Sequence, residues 1–140
     1  MKKKWILLIF LMSTLLIFCK KDRDNQVPNT LVDVYVYTSN PSFINLAAVG
    51  GWAYIAGGVR GILVYRKSSN EFMAYDRNCT YQSNQPCATV YVNNTNIMAE
   101  DTCCLSKFGL FDGNATQGPA SQPLKSYNTT YDGNILHIFN

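Results

Sequence analysis

Beyond residue 30 this sequence predicts an all-β fold, an antiparallel sandwich or barrel carrying two cysteine-bearing loops. Three observations carry that expectation. Apolar, β-branched and aromatic residues recur with a period of two rather than 3.6. The alternating runs are short and separated by clusters of glycine, asparagine, serine and proline. The cysteines beyond residue 30, Cys79, Cys87, Cys103 and Cys104, fall into two groups, each at the end of a predicted strand.

The first residues read as an address rather than as structure. Lys2-Lys3-Lys4 forms a positive n-region, residues 5–18 form an apolar run, and Cys19 stands just before Lys20-Lys21-Asp22-Arg23-Asp24. A transmembrane helix needs about 20 apolar residues, so the run fits a signal peptide better. Leu16-Ile17-Phe18-Cys19 resembles a bacterial lipobox, with Phe18 where the pattern has a small residue. The resemblance implies cleavage after residue 18 and lipidation of Cys19, hence a lipid anchor in the bacterial outer membrane, on the periplasmic or the cell-surface face. Lys20-Lys21-Asp22 resembles the surface-export signal of Bacteroidetes-type lipoproteins.

The remaining chain divides into a polar, flexible tether over residues 19–30 and one domain over residues 31–140, long enough for one core and too short for two. The formal charge of +3 comes from Lys2, Lys3 and Lys4, because nine basic residues from Cys19 onward cancel nine acidic ones. A chain formally neutral from Cys19 onward offers no electrostatic footprint for nucleic acid. An exported location also lets disulfides persist.

Within the domain, Leu31-Val32-Asp33-Val34-Tyr35-Val36-Tyr37 predicts a first strand that stops at Ser39-Asn40-Pro41. Residues 42–49 predict a short strand or a helical turn, ended by Gly50-Gly51. Residues 52–55 and 61–66 predict two strands joined through Gly57-Gly58. Gly57-Gly58-Val59-Arg60-Gly61 is not read as a phosphate loop, because a strand rather than a helix follows it; no nucleotide partner is expected, and Arg60 is read as a solvated turn residue. Residues 71–76 predict the strand that delivers Cys79. Residues 88–92 and 97–100 predict two more, the second delivering Cys103 and Cys104. Residues 127–131 and 135–139 flank Asp132-Gly133-Asn134, which predicts a type I′ hairpin. His137, the only histidine, shares a side of the last strand with Ile135 and Phe139 and is read as a histidine packed against a neighbouring strand, with no partner visible in the sequence.

The cysteine motifs themselves are Cys79-Thr80-Tyr81 and Cys104-Leu105-Ser106-Lys107-Phe108-Gly109-Leu110-Phe111. They resemble the ligand loops of Rieske iron–sulfur proteins, which read C-x-H and C-x-x-H-G-x-x-F. Tyr81 and Lys107 stand at the two histidine positions and Phe108 at the glycine, so Cys79, Tyr81, Cys104 and Lys107 are degenerate ligand positions. Gly118-Pro119-Ala120, Pro123-Leu124 and Tyr127 resemble the proline loop that covers the Rieske cluster. The resemblance spans residues 52–139 and implies a Rieske-like architecture.

A Rieske centre binds one iron through two thiolates and the other through two imidazoles; with His137 alone, that set cannot be assembled in one copy. The resemblance pairs Cys79 with Cys104, where the cluster would have bridged them, leaving Cys87 with Cys103. Adjacent cysteines on an extended segment face opposite ways and choose different partners, yet four cysteines allow three pairings that sequence does not decide. The alternative is a 2Fe-2S cluster on Cys79, Cys87, Cys103 and Cys104. Thr80, Ser106 and Lys107 have no nearby histidine base, so no catalytic residue is assigned. The expectation is an envelope lipoprotein without cofactor or enzymatic activity, a structural or interaction module attached to the membrane through its lipid and belonging to an envelope protein complex, with 2Fe-2S electron transfer as the alternative.

Overall fold

The computed structural model describes residues 26–140. The expected signal peptide (residues 1–18), the lipidation site Cys19 and most of the tether lie outside the described residues. No helix among the described residues is long and apolar enough to cross a membrane.

The described residues form an all-β fold, as expected, with ten strands in two antiparallel sheets. In chain order they are β1 (Asp33–Tyr37), β2 (Trp52–Ile55), β3 (Ile62–Arg66), β4 (Phe72–Asp76), β5 (Val90–Val92), β6 (Met98–Asp101), β7 (Lys107–Gly109), β8 (Ala115–Gln117), β9 (Ser126–Tyr131) and β10 (Ile135–Phe139). A six-stranded sheet runs β1-β10-β9-β4-β3-β2, and a four-stranded sheet runs β5-β6-β7-β8. The segment left open as strand or helical turn is a 3-10 helix, Pro41–Ala47, whose first turn is capped by the Asn40 side chain accepting from Ser42 N–H. Strands β7 and β8 lack a clear alternating run in the sequence and are held by pairing with β6.

Two apolar clusters explain the strand sequences. Val36, Ile62, Val64, Phe72, Ala74, Leu136 and Ile138 pack within the curl of the six-stranded sheet. Leu63, Tyr75, Val90, Ala99, Phe108 and Leu110 pack between that sheet and the smaller one. Successive residues of a strand face opposite ways, so β3 sends Ile62 and Val64 into the first cluster and Leu63 into the second. That is why Ile62-Leu63-Val64 is an unbroken apolar run rather than an alternating one.

Four expectations are corrected. From Gln26 onward the chain lies against the domain instead of trailing as a tether: Ser83 Oγ donates to the Gln26 carbonyl, Lys125 Nζ to the Pro28 carbonyl, and Asn140 Nδ2 to the Thr30 carbonyl. The β9–β10 turn has positive φ at Gly133 and not at Asn134, so it lacks the two left-handed residues of a type I′ turn; Asp132 Oδ1 instead accepts from both Asn134 N–H and Ile135 N–H. His137 packs against a neighbouring strand, as expected, but it also has a partner that its sequence neighbours do not reveal. It stacks between Tyr35 and Phe139 and its Nε2 lies 2.7 Å from Asp33 Oδ1, because β1 and β10 pair with Tyr35 opposite His137. The fourth correction, at Arg60, belongs to the site.

Candidate metal centre at the cysteine loops

Strands β4 and β6 each end on an aspartate, and a cysteine loop begins directly after each. Alternation buries both carboxylates: Asp76 shares a face with Phe72 and Ala74, and Asp101 shares one with Ala99, all of them buried. Sequence reasoning found the cysteines and missed the aspartates, although the period-two pattern already places both on apolar faces.

Asp76 holds the first loop in shape. Its Oδ2 accepts from Val59 N–H (2.6 Å) and Tyr127 O–H (2.7 Å), and its Oδ1 from Asn78 N–H (2.8 Å) and Arg60 N–H (3.3 Å). Gly58, at φ +64, makes room for this, since a Cβ there would sit 2.5 Å from Asp76 Oδ2. Arg60 is therefore not a solvated turn residue. Its guanidinium donates to Asn78 Oδ1 (2.6 Å), the Gln85 carbonyl (2.6 Å) and the Pro86 carbonyl (2.8 Å), spanning the loop from base to tip. Cys79 N–H donating to the Ala88 carbonyl and Val90 N–H to the Arg77 carbonyl close the base.

The second loop is built around Asp101 and Ser106. Asp101 Oδ1 accepts from Cys103 N–H at 2.7 Å, and the Asp101 carbonyl accepts from Leu105 N–H. Ser106, fully buried, accepts from Cys104 Sγ at 3.0 Å and from Ala120 N–H at 2.9 Å. Thr80 Oγ1 donates to the Gln122 carbonyl, so the segment around Pro119 is tied to both cysteine loops.

Of the four cysteines beyond residue 30, Cys87 and Cys103 are joined in a disulfide, with Cα atoms 5.6 Å apart. This bond links the two loops across 16 residues, which in the chain-entropy model contributes about 3 kcal/mol. The other expected pair is not a bond. Cys79 and Cys104 are free thiols with sulfurs 3.8 Å apart, because Cys104 turns its sulfur to the Ser106 hydroxyl and Cys79 lies against the Asp101 carboxylate. Burial first, and then that carboxylate, push the Cys79 thiol well above the ordinary cysteine range, against the opposing pull of the Tyr81 backbone N–H.

The remaining predicted positions do not converge on iron. Tyr81 packs half-buried against the second apolar cluster. Lys107 lies in β7 and pairs with Glu100, 3.7 Å away. His137 belongs to the outer face of the six-stranded sheet, engaged with Asp33. With Cys87 and Cys103 spent on each other, the four-thiolate alternative has lost half its donors. A two-iron cluster needs four protein ligands, and among the described residues these loops bring three candidate donors together rather than four. What converges is a smaller set, Cys79, Asp101 and Cys104, whose ligand atoms lie within 4.8 Å of one another.

No protein-family model matches the sequence, and no curated protein does. Among solved structures, the chain is similar to the ferredoxin of carbazole 1,9a-dioxygenase from Nocardioides aromaticivorans IC177, at 17% identity over 79% of this chain and 98% of that one, with a TM-score of 0.48. It is also similar to a chain from a complex of reduced oxygenase and oxidized ferredoxin in carbazole 1,9a-dioxygenase, at 14% identity over 78% of this chain and 92% of that one, with a TM-score of 0.49.

Proposed function

We propose that this protein is a lipid-anchored bacterial envelope protein whose Rieske-like domain has lost its cluster and acts as a non-catalytic structural or interaction module. The observation that carries this reading is the fate of the ligand positions. The two histidine positions hold Tyr81 and Lys107, the only histidine is engaged in the other sheet, and two of the four thiols are consumed in the Cys87–Cys103 bond. The Rieske-like part of the reading rests on the motifs around Cys79, Cys104 and Pro119 and on their position in loops that meet at one end of the second apolar cluster. The anchor rests on the pattern of residues 1–22, with Cys19 as the lipidated residue and the outer membrane as its partner.

The test is purification of the full chain with and without oxygen, followed by iron and acid-labile sulfide analysis and visible absorption. Neither preparation is expected to contain two irons per chain or to absorb as an iron–sulfur protein. Stoichiometric iron with sulfide would overturn the reading in favour of electron transfer. Metabolic labelling with a fatty acid tests the anchor, and loss of label in Cys19→Ala is expected.

A further inference from the structure

The Asp101 carboxylate is completely buried, and among the described residues no N–H or O–H donor reaches its Oδ2; the Cys79 thiol lies against the carboxylate instead. A buried carboxylate oxygen without such a donor is costly, and a cation would satisfy it. The groups that converge with this carboxylate are the sulfurs of Cys79 and Cys104. Those sulfurs are 3.8 Å apart. Two thiolates on one tetrahedral zinc, with Zn–S distances near 2.3 Å, have their sulfurs about 3.8 Å apart, whereas a disulfide needs about 2 Å. The pair is thus already spaced for a shared ion.

We infer that Cys79 Sγ, Cys104 Sγ and Asp101 Oδ2 form a mononuclear site for a thiophilic divalent cation of the zinc type. Two thiolates and one carboxylate are a donor set for such an ion. Binding displaces the two thiol protons to solvent and leaves the cysteines as thiolates.

The surroundings suit that state. Ser106 Oγ already accepts from Ala120 N–H, so once Cys104 gives up its proton the Ser106 hydroxyl can turn its own hydrogen towards the sulfur. The Tyr81 backbone N–H faces the Cys79 sulfur as a donor. Such outer contacts fix thiolate ligands in place. Cys104 is only partly buried, which gives the ion a route in. Three protein donors leave the fourth tetrahedral position open, as in zinc sites that exchange a ligand. The ion also keeps the two sulfurs from joining in an oxidising compartment.

This inference goes beyond the proposed loss of the cluster and can fail independently of it. The full chain, stripped with a chelator under anaerobic conditions with its Cys87–Cys103 bond intact, is titrated with zinc chloride alone and followed by calorimetry. A parallel titration with cobalt(II) reads thiolate coordination from charge-transfer absorption. One ion per chain is expected, with proton release and cobalt–thiolate bands. Asp101→Asn and Cys104→Ser should each weaken zinc binding about tenfold or more, since even outer contacts to metal ligands are worth that much, while far-UV circular dichroism shows the fold retained. His137→Ala, in the other sheet, should bind zinc unchanged. The inference is overturned if no stoichiometric zinc binds, if Asp101→Asn binds as the parent does, or if cobalt binds without thiolate bands. Failure to bind zinc with no iron–sulfur cluster present would leave the proposed function standing; two irons with sulfide would overturn both.

Discussion

Asp76 and Asp101 occupy equivalent places, each the last residue of a strand, each fully buried, each opening a cysteine loop, yet their surroundings are opposite. Asp76 accepts four hydrogen bonds, from Val59, Arg60, Asn78 and Tyr127. Asp101 accepts one from an N–H, that of Cys103, and among the described residues its other oxygen meets no N–H or O–H donor, the carboxylate lying instead beside two thiols. A buried carboxylate whose lone pairs are filled by protein donors is a structural keystone. One left partly empty among sulfurs is the place to look for chemistry. The first loop is finished by its own hydrogen bonds, and the second is finished only when something positive arrives.

The most direct way to break the comparison is Asp76→Ala. It strands three backbone N–H groups and a tyrosine hydroxyl in the interior, and a loss of about 3 kcal/mol or more is expected in urea unfolding. A loss below about 1 kcal/mol would mean that water replaces the carboxylate and that Asp76 is no keystone.

Next comes the bond shared by both loops. Reducing Cys87–Cys103 selectively, or replacing both residues with serine, should lower stability by about 3 kcal/mol. It should also increase hydrogen exchange in residues 80–87 and 102–105 while leaving β9 and β10 protected.

Alkaline titration sharpens the Asp76 side. Burial and the bond to Asp76 raise the Tyr127 hydroxyl above the ordinary tyrosine range. The folded state therefore keeps its proton after the unfolded chain has lost it, so the contribution is full below about pH 10 and falls as pH climbs further. Tyr127→Phe should flatten part of that fall in denaturant midpoints measured from neutral to alkaline pH. An unchanged slope would assign the alkaline loss to other groups, Tyr75 among them, whose buried hydroxyl is raised in the same direction.

The smallest effect belongs to Asp101. Without metal, Asp101→Asn is isosteric and keeps an acceptor for Cys103 N–H, so stability should change by less than about 1 kcal/mol. A cost equal to that of Asp76→Ala would erase the distinction between the two aspartates.

Much of the fold was legible because strands announce themselves through alternation. Residues 52–55, 71–76 and 135–139 carry that signal, and β2, β4 and β10 lie there to within a residue. Strands β7 and β8 were not legible: each has three residues, and each exists through pairing with a neighbour rather than through its own pattern. At the site, the cysteines and their loop positions could be read directly. Arg60 could not, because an arginine beside glycines looks solvated until the fold brings the Gln85 and Pro86 carbonyls to its guanidinium. The pairing of Cys79 with Cys104 could not be decided either, since their sulfurs touch at 3.8 Å as thiols that also contact Ser106 and Asp101, side chains outside any cysteine arithmetic.

By itself the sequence determined the class of fold, the number of sulfurs and histidines, and hence that a two-thiolate, two-imidazole centre cannot be built from one chain. Those are matters of composition and local periodicity, which survive without knowing where anything sits. Only the tertiary structure decided which thiols are spent, which aspartate is satisfied, and that Cys79, Asp101 and Cys104 meet. Bonds and ligand sets depend on distances of a few ångströms between residues far apart in the chain, and packing alone sets those distances.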